Sequence, residues 1–254
     1  NSNIYPSLRQ IKSLRARKKV VTDQLSEINN RYSSNAYLKG LESKHLEIKQ
    51  EYEKSYISIK DAIKFAELAS NQKYLFKYHV RAAGILNKSG YYDKALNHLT
   101  FAKEVHDGEN GIIINSKREN DFSRIYPEIF LSQIGLKQFE KAEDTLNNLY
   151  KIGRSREYDQ EPNIELFEYY KGKVILFASK EEFLRADIYY NDAIDFLMKS
   201  AEQNEVVINP NISAESRFLN NLYETYLTEL MQLRNSVFPN QSEHDFHKDR
   251  MLTH

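Results

Sequence analysis

The stretch from residue 78 to residue 105 constrains the fold more than any other part of the sequence. It is typical of two helices joined by a tight turn at Ser89 and Gly90, because glycine tolerates the left-handed backbone that ends helices. Small or apolar residues line one face of each helix: Ala82, Ala83 and Leu86 on the first, and Ala95, Leu99 and Ala102 on the second. One such hairpin cannot bury its own apolar face, so we expect similar hairpins stacked on either side.

The stripe of the second helix recurs along the chain. It begins again at Ala62, Ala142 and Ala186, and each alanine is followed by an apolar or aromatic residue four and then seven positions later. This recurrence predicts several helical pairs with the same internal packing.

Helix boundaries are predicted from the same periodicity and from breaking residues. A long first helix is predicted from about residue 7 to 32, with a break at residues 33–35 and a second helix from about 36 to 52. We expect Gly153 to end the helix that carries the third stripe. Ser213 is the predicted N-cap of a last helix that ends before Pro239.

Composition favours an all-α protein. The 254 residues include only 8 Gly and 5 Pro, which suits long helices, and 41% hydrophobic residues, which suffices for a core. The 36 basic and 36 acidic residues balance, so no nucleic-acid partner is expected. The absence of Cys excludes disulfides, thiolate nucleophiles and Cys-ligated metals.

Nothing in the sequence fixes the compartment. No apolar run approaches the roughly 18–20 residues of a membrane span, and no signal peptide is visible. The sequence does not begin with Met, and we expect it to be a mature product or a segment of a longer chain. Attachment to a membrane or an effector domain outside this segment stays open. Cytoplasmic and periplasmic locations both stay open, as does the oligomeric state.

The stripes and the turns before them resemble tetratricopeptide-type (TPR-like) helical repeats. That family places an aromatic at the end of the turn, then small, large and small residues at set intervals. The residues that carry the resemblance are Gly90, Tyr92, Ala95, Leu99, Ala102, Phe139, Ala142, Leu146, Tyr170, Phe183, Ala186, Tyr190 and Ala193. The chain departs from the pattern in lacking tryptophan and in two spacings longer than the usual ~34 residues.

The resemblance implies an α-solenoid of stacked antiparallel helical hairpins with a long N-terminal helix and a C-terminal capping helix. The corresponding domain prediction is a long helix at 1–35, repeats at 36–201, a capping helix at 202–238 and a polar tail at 239–254.

The resemblance also implies a concave groove lined by the first helix of each pair. The positions that map onto this groove are Lys77, Val80, Arg81, Gly84, Asn87, Lys88, Arg124 and Lys171. The implied function is non-enzymatic binding of a protein or peptide. The alternative is a sensor or regulatory region of a bacterial signal-transduction protein, which the order of a long helix followed by repeats also resembles.

No set of catalytic, cofactor-binding or metal-binding residues stands out. The sequence lacks a Gly-x-Ser-x-Gly elbow, a phosphate-binding glycine loop and a His-Glu-x-x-His motif. The best metal candidate, His244 with His247 and Asp249, is interpreted as a polar tail, and His79 as a packed histidine. We therefore expect no enzyme activity, no cofactor and no metal.

The first helix carries a run of basic residues with no acid between them: Arg9, Lys12, Arg15, Arg17, Lys18 and Lys19. One interpretation is a solvated helix face whose long stems cover apolar surface. The other is a patch for phosphate, lipid headgroups or an acidic partner.

Overall fold

A computed structural model describes residues 8–107, 124–155, 163–203 and 214–238. Within these ranges the chain forms nine α-helices and no strand, so the all-α prediction is confirmed. The helices are α1 (Leu8–Ile48), α2 (Tyr52–Leu68), α3 (Gln72–Lys88), α4 (Tyr92–Asp107), α5 (Ile125–Gly135), α6 (Phe139–Ser155), α7 (Ile164–Ser179), α8 (Phe183–Gln203) and α9 (Ala214–Val237).

The chain divides into two compact units, residues 1–136 and 137–254. In the first unit each helix packs against the next along the chain, and α3 also contacts α1 and α5. In the second unit α7 packs against α6 and α8, α8 packs against α9, and α7 also contacts α9. Most contacts are therefore between sequence neighbours, as in helical pairs joined by short turns.

The predicted alanine stripes lie in the cores. Ala95, Leu99 and Ala102 are buried against α3 and Ile125 of α5 in the first unit. The stripe that begins at Ala186 is buried in the second unit among residues of α7 and α9. Burial of the stripes is confirmed, and it explains why small residues recur: they let neighbouring helix backbones approach closely.

Three-residue turns with one shared geometry join successive helices at 49–51, 69–71, 89–91, 136–138 and 180–182. The middle residue of each turn has a positive φ: Gln50, Ser70, Gly90, Lys137 and Glu181. At the third turn, the Gly90 N–H donates to the Asn87 carbonyl at 3.1 Å and the Tyr91 N–H to the Leu86 carbonyl at 2.9 Å. This is a Schellman ending, which satisfies carbonyls left open at the helix C-terminus.

The predicted break at residues 33–35 is wrong, because α1 runs through it without interruption. The Ser34 hydroxyl donates to the Asn30 carbonyl one turn earlier at 2.9 Å, which satisfies a polar group that would otherwise favour a turn. Ala36 is fully buried in the core formed with α2 and α3, so packing holds this part of the helix. Tertiary contacts therefore outweigh the weak local preference of Ser and Asn.

The predicted role of Gly153 as a helix end is also wrong. Gly153 lies inside α6 and is buried. A β-carbon at this position would lie 2.7 Å from Cγ of Leu166 on α7. The glycine is thus explained by the close approach of α7.

A second glycine allows close contact between α1 and α3. Gly40 is buried, and a β-carbon there would lie 2.6 Å from Cε1 of Tyr78. The Tyr78 ring is only 2% exposed and has little room to move. This contact fixes how far α1 can slide along α3.

We predict that Gly40→Ala destabilises the protein. Alanine normally stabilises a helix interior by about 1 kcal/mol over glycine, but overpacking against Tyr78 costs about 1–3 kcal/mol. The net loss should appear in urea unfolding followed by far-UV circular dichroism. Ser34→Ala, at an exposed position on the same helix, is the control and should leave stability unchanged or slightly raised. A stabilised Gly40→Ala variant would contradict the close contact.

Candidate functional site

Helix α3 is the centre of the first unit, and one of its faces stays accessible. It begins at an Asn71 cap, whose side chain accepts the Tyr74 N–H at 3.1 Å. Residues facing α2 and α4 are buried, whereas Lys77, Arg81, Gly84 and Lys88 follow one another at four- and three-residue spacing on the remaining side. We call these four positions the α3 face.

Glu47 of α1 joins two basic residues of the α3 face. Arg81 donates from Nη2 to Oε2 of Glu47 at 2.9 Å, and Lys88 donates from Nζ to Oε1 at 2.5 Å. Burial opposes ionisation of this carboxyl, but the hydrogen bonds and charges of Lys88 and Arg81 outweigh it and hold the pKa of Glu47 below its ordinary value. The charges of Arg81 and Lys88 are therefore held in place by Glu47.

One nitrogen of the Arg81 guanidinium, the buried Nε, has no hydrogen-bond partner among the described residues. A buried donor without a partner carries a desolvation cost of about 1–3 kcal/mol. Because this atom is enclosed, an approaching ligand would meet the exposed ammonium groups of Lys77 and Lys88 instead.

Asn87 connects α3 with α5. Its Nδ2 donates to the backbone carbonyl of Glu128 at 2.9 Å and to Oε2 of the same residue at 2.8 Å. The Ser132 hydroxyl donates to Oδ1 of Asn87 at 2.7 Å. Both amide hydrogens of Asn87 are thus used inside the fold, and its contribution to the site is to hold Glu128 beside the α3 face.

Gly84 leaves room for that carboxylate. A β-carbon at Gly84 would lie 3.0 Å from Oε1 of Glu128. Glu47 on one side and Glu128 on the other therefore flank the basic residues of the α3 face. Neither acidic residue was among the predicted groove positions, because both lie on neighbouring helices whose register the sequence does not reveal.

The remaining predicted groove residues are placed as follows. Lys77 is exposed, and Val80 is half-buried against the core shared by α3, α4 and α5. Arg124 is exposed at the N-cap of α5. Lys171 belongs to the second unit. The predicted groove positions on α3 are thus brought together on one helix beside α1 and α5.

In the second unit, Lys171 of α7 lies between two carboxylates. Its Nζ donates to Oε1 of Glu168 at 2.7 Å and to Oε2 of Glu229 on α9 at 2.9 Å. Burial raises the pKa of Glu168, with Glu229 adding to the effect against the opposing charge of Lys171. The Lys171 ammonium thus binds two carboxylates, and its ion pair with Glu229 links α7 to α9.

Lys173, also on α7, forms a second and more deeply buried ion pair. Its side chain is 5% exposed, and it donates to Oε1 of Glu143 on α6 at 2.9 Å. The ammonium also lies within 6 Å of the rings of Tyr169, Phe177 and Tyr189. The ion pair with Glu143 and the neighbouring aromatic rings together explain how the charge of Lys173 can be buried.

Three polar rings, one each from α2, α3 and α4, are hydrogen-bonded in series inside the first unit. The Nδ1 atoms of His79 and His98 are 2.9 Å apart, and Nε2 of His98 is 3.1 Å from the Tyr56 hydroxyl. Phe101 stacks on His79 with ring centroids 4.3 Å apart. The interpretation of His79 as a packed histidine is confirmed by its 7% exposure, but its partners were not foreseen.

The described residues hold neither a candidate metal-binding cluster nor a helix able to span a membrane. Those residues contain no group of three or more His, Asp or Glu placed to hold a metal ion. Among the described helices, none is both long and apolar enough to cross a bilayer. The tail candidates His244, His247 and Asp249 lie outside the described residues.

Of the basic run on α1, the described side chains are Arg17, Lys18 and Lys19, and all three are exposed. The side chains of Arg9, Lys12 and Arg15 lie outside the described part of the chain.

Comparisons of this chain with protein-family models, with curated protein sequences and with solved structures each found no match.

The two histidines predict a pH-dependent stability. Burial, with a smaller contribution from His98, lowers the pKa of His79 to about 4, and burial also lowers the pKa of His98. In the unfolded chain histidines titrate near 6.5, so from there down to about 4 the unfolded state binds more protons. The free energy of unfolding should therefore fall as pH falls through this window.

The measurement is urea unfolding between pH 7 and pH 5 for the wild type and for His79→Gln. The variant keeps an amide that can bond to His98 but has no imidazole at position 79, so its stability should fall less. His45→Gln, which replaces an exposed histidine on α1, should behave as the wild type. The same slope in all three proteins would contradict the prediction.

Proposed function

We propose that this chain is a non-catalytic TPR-like α-solenoid that binds an acidic segment of a protein or peptide along the α3 face. The observation that carries the proposal is a row of three basic side chains on one helix face: Lys77 and Lys88 are exposed, and Arg81 lies between them, held by its ion pair with Glu47. Lys77 lies one turn before Arg81, and Lys88 lies two turns after it.

The packing pattern supports the solenoid part of the proposal. Within each unit the helices contact mainly their sequence neighbours, and in the first unit α3 also contacts the helices two positions before and after it. In repeat proteins of this kind, the helices equivalent to α1, α3 and α5 line the binding surface. The alanine stripes on α2, α4, α6 and α8 agree with the family's second helices.

Charge supports an acidic ligand. Glu47 already shows that a carboxylate is held here by Arg81 and Lys88 together. A ligand carboxylate could bind the exposed ammonium of Lys77, beside the Arg81 guanidinium, without displacing Glu47. Because the guanidinium is held by its existing ion pair, little side-chain entropy is lost on binding.

The test uses the full chain and fluorescently labelled decapeptides rich in Asp and Glu, with Asn/Gln and Lys counterparts as probes. The binding variant is Lys77→Gln with Arg81→Gln. The matched control is Lys64→Gln with Lys103→Gln, which removes two exposed lysines of α2 and α4. Affinities are measured by fluorescence anisotropy at two salt concentrations, and thermal unfolding checks each variant.

We expect acidic peptides to bind the wild type and the control, and to bind the α3-face variant at least about tenfold more weakly. Loss of one or two charge-assisted hydrogen bonds corresponds to a change of that size. Equal weakening in both double variants would indicate unspecific charge attraction and contradict the site. Absence of binding to any acidic peptide would contradict the proposed ligand class.

A further inference from the structure

The N-terminal part of α1 extends beyond the packed part of the first unit. All residues from 16 to 31 are exposed, whereas Tyr32 stacks on Phe65 of α2 and Ala36 is fully buried. The exposed stretch is about 24 Å long at 1.5 Å per residue. Most helical stability in proteins comes from packing of an apolar face, and the described residues of this stretch have no such packing.

This exposed helix carries an ordered apolar stripe. Val21, Leu25 and Ile28 are 53%, 55% and 46% exposed, and they follow one another at four- and three-residue spacing. Tyr32 continues the series into the packed region. Such spacing is the a and d pattern of a two-helix seam, in which apolar side chains interlock with those of a facing helix.

The positions that flank the stripe are basic or neutral. With Leu25 at an a position, the flanking e and g positions hold Arg17, Thr22, Gln24, Asn29 and Arg31, and Lys18 lies in the stripe itself. The acidic residues of this stretch, Asp23 and Glu27, fall on the outer side of the helix. The rim of the stripe is therefore positive without internal compensation.

The charge of the rim and the width of the apolar stripe indicate which kind of partner can bind this part of α1. A second copy of the helix would bring an equally basic rim and a second Lys18 to the seam, with no acid to pair with them. A membrane surface favours a helix with a broad apolar face, whereas this stripe fills only two positions in seven and, within residues 16–31, has only Val20 beside it among the large exposed apolar residues. A facing helix with apolar residues at a and d would pack on the stripe, and acidic residues at its e and g positions would pair with the basic rim.

We infer that residues 16–32 of α1 are a docking seam for an amphipathic helix of another protein, one that carries glutamate or aspartate at the positions beside its apolar stripe. This surface is separate from the α3 face, so it stands or falls independently of the function proposed above. Its ligand is recognised as a helix rather than as an extended acidic segment.

The experiment titrates the full chain with two synthetic 28-residue helical peptides. Both have Leu and Ile at a and d, and they differ only in having Glu or Lys at e and g. The stripe variant is Leu25→Ser with Ile28→Ser. The control is Leu184→Ser with Ile188→Ser, which changes two exposed apolar residues at the same kind of spacing on α8. A charge-exchange variant, Arg17→Glu with Arg31→Glu, leaves the stripe unchanged.

We expect the glutamate-flanked peptide to bind the wild type and the α8 control, and to bind the stripe variant at least about tenfold more weakly. The charge-exchange variant should prefer the lysine-flanked peptide. Because its substitutions are at exposed positions, this reversal does not depend on the stability of the stripe variant.

Three results would overturn the inference. The first is equal binding of both peptides to the wild type, which would leave the rim without a role. The second is stripe-dependent self-association in sedimentation velocity without peptide binding, which would identify a second copy as the occupant. The third is stripe-dependent binding to vesicles containing phosphatidylserine without peptide binding, which would identify a membrane surface.

Discussion

Close approach of helix backbones is the constraint on which the rest of the structure depends. It is achieved where alanine or glycine faces a large side chain, as where Gly40 lies under the ring of Tyr78. Such a contact sets the distance between two helices and also their register, since a ring seated over a glycine cannot slide by a turn. The ion pairs of Glu47 follow from this register, because only one alignment of α1 and α3 brings its carboxylate to both Arg81 and Lys88.

Both units pair charges between helices, but they differ in the other polar contacts between their helices. In the first, hydrogen bonds to neutral groups are prominent, as between Asn87 and Ser132 or between the two imidazoles. In the second, charged groups meet aromatic rings, as where Lys173 pairs with Glu143 beside the ring of Tyr169. The many tyrosines of the sequence suit this second arrangement, because the ring packs while the hydroxyl can remain hydrated.

The fold could be predicted from the sequence further than the site. Helix positions and the buried stripes follow from local periodicity. At residues 33–35 and at Gly153, tertiary packing outweighed the local signals that predicted helix ends. Arg81 and Asn87 were identified as groove positions, but Glu47 and Glu128 were not, because their partnership depends on inter-helix register. Membership of the repeat family, the proposed domain limits and the alternative of a signalling sensor stay predictions.

The turns between helices have a practical consequence. Four of them place a residue with a β-carbon in the left-handed backbone region, namely Gln50, Ser70, Lys137 and Glu181, whereas Gly90 occupies the equivalent position in the fifth. A side chain in that conformation costs roughly 1 kcal/mol or more. Glycine at these corners would offset part of that cost by relieving the strain, at the expense of a more flexible unfolded chain. The corners are thus natural starting points for engineering a more heat-resistant protein while leaving the cores and the proposed binding surfaces intact.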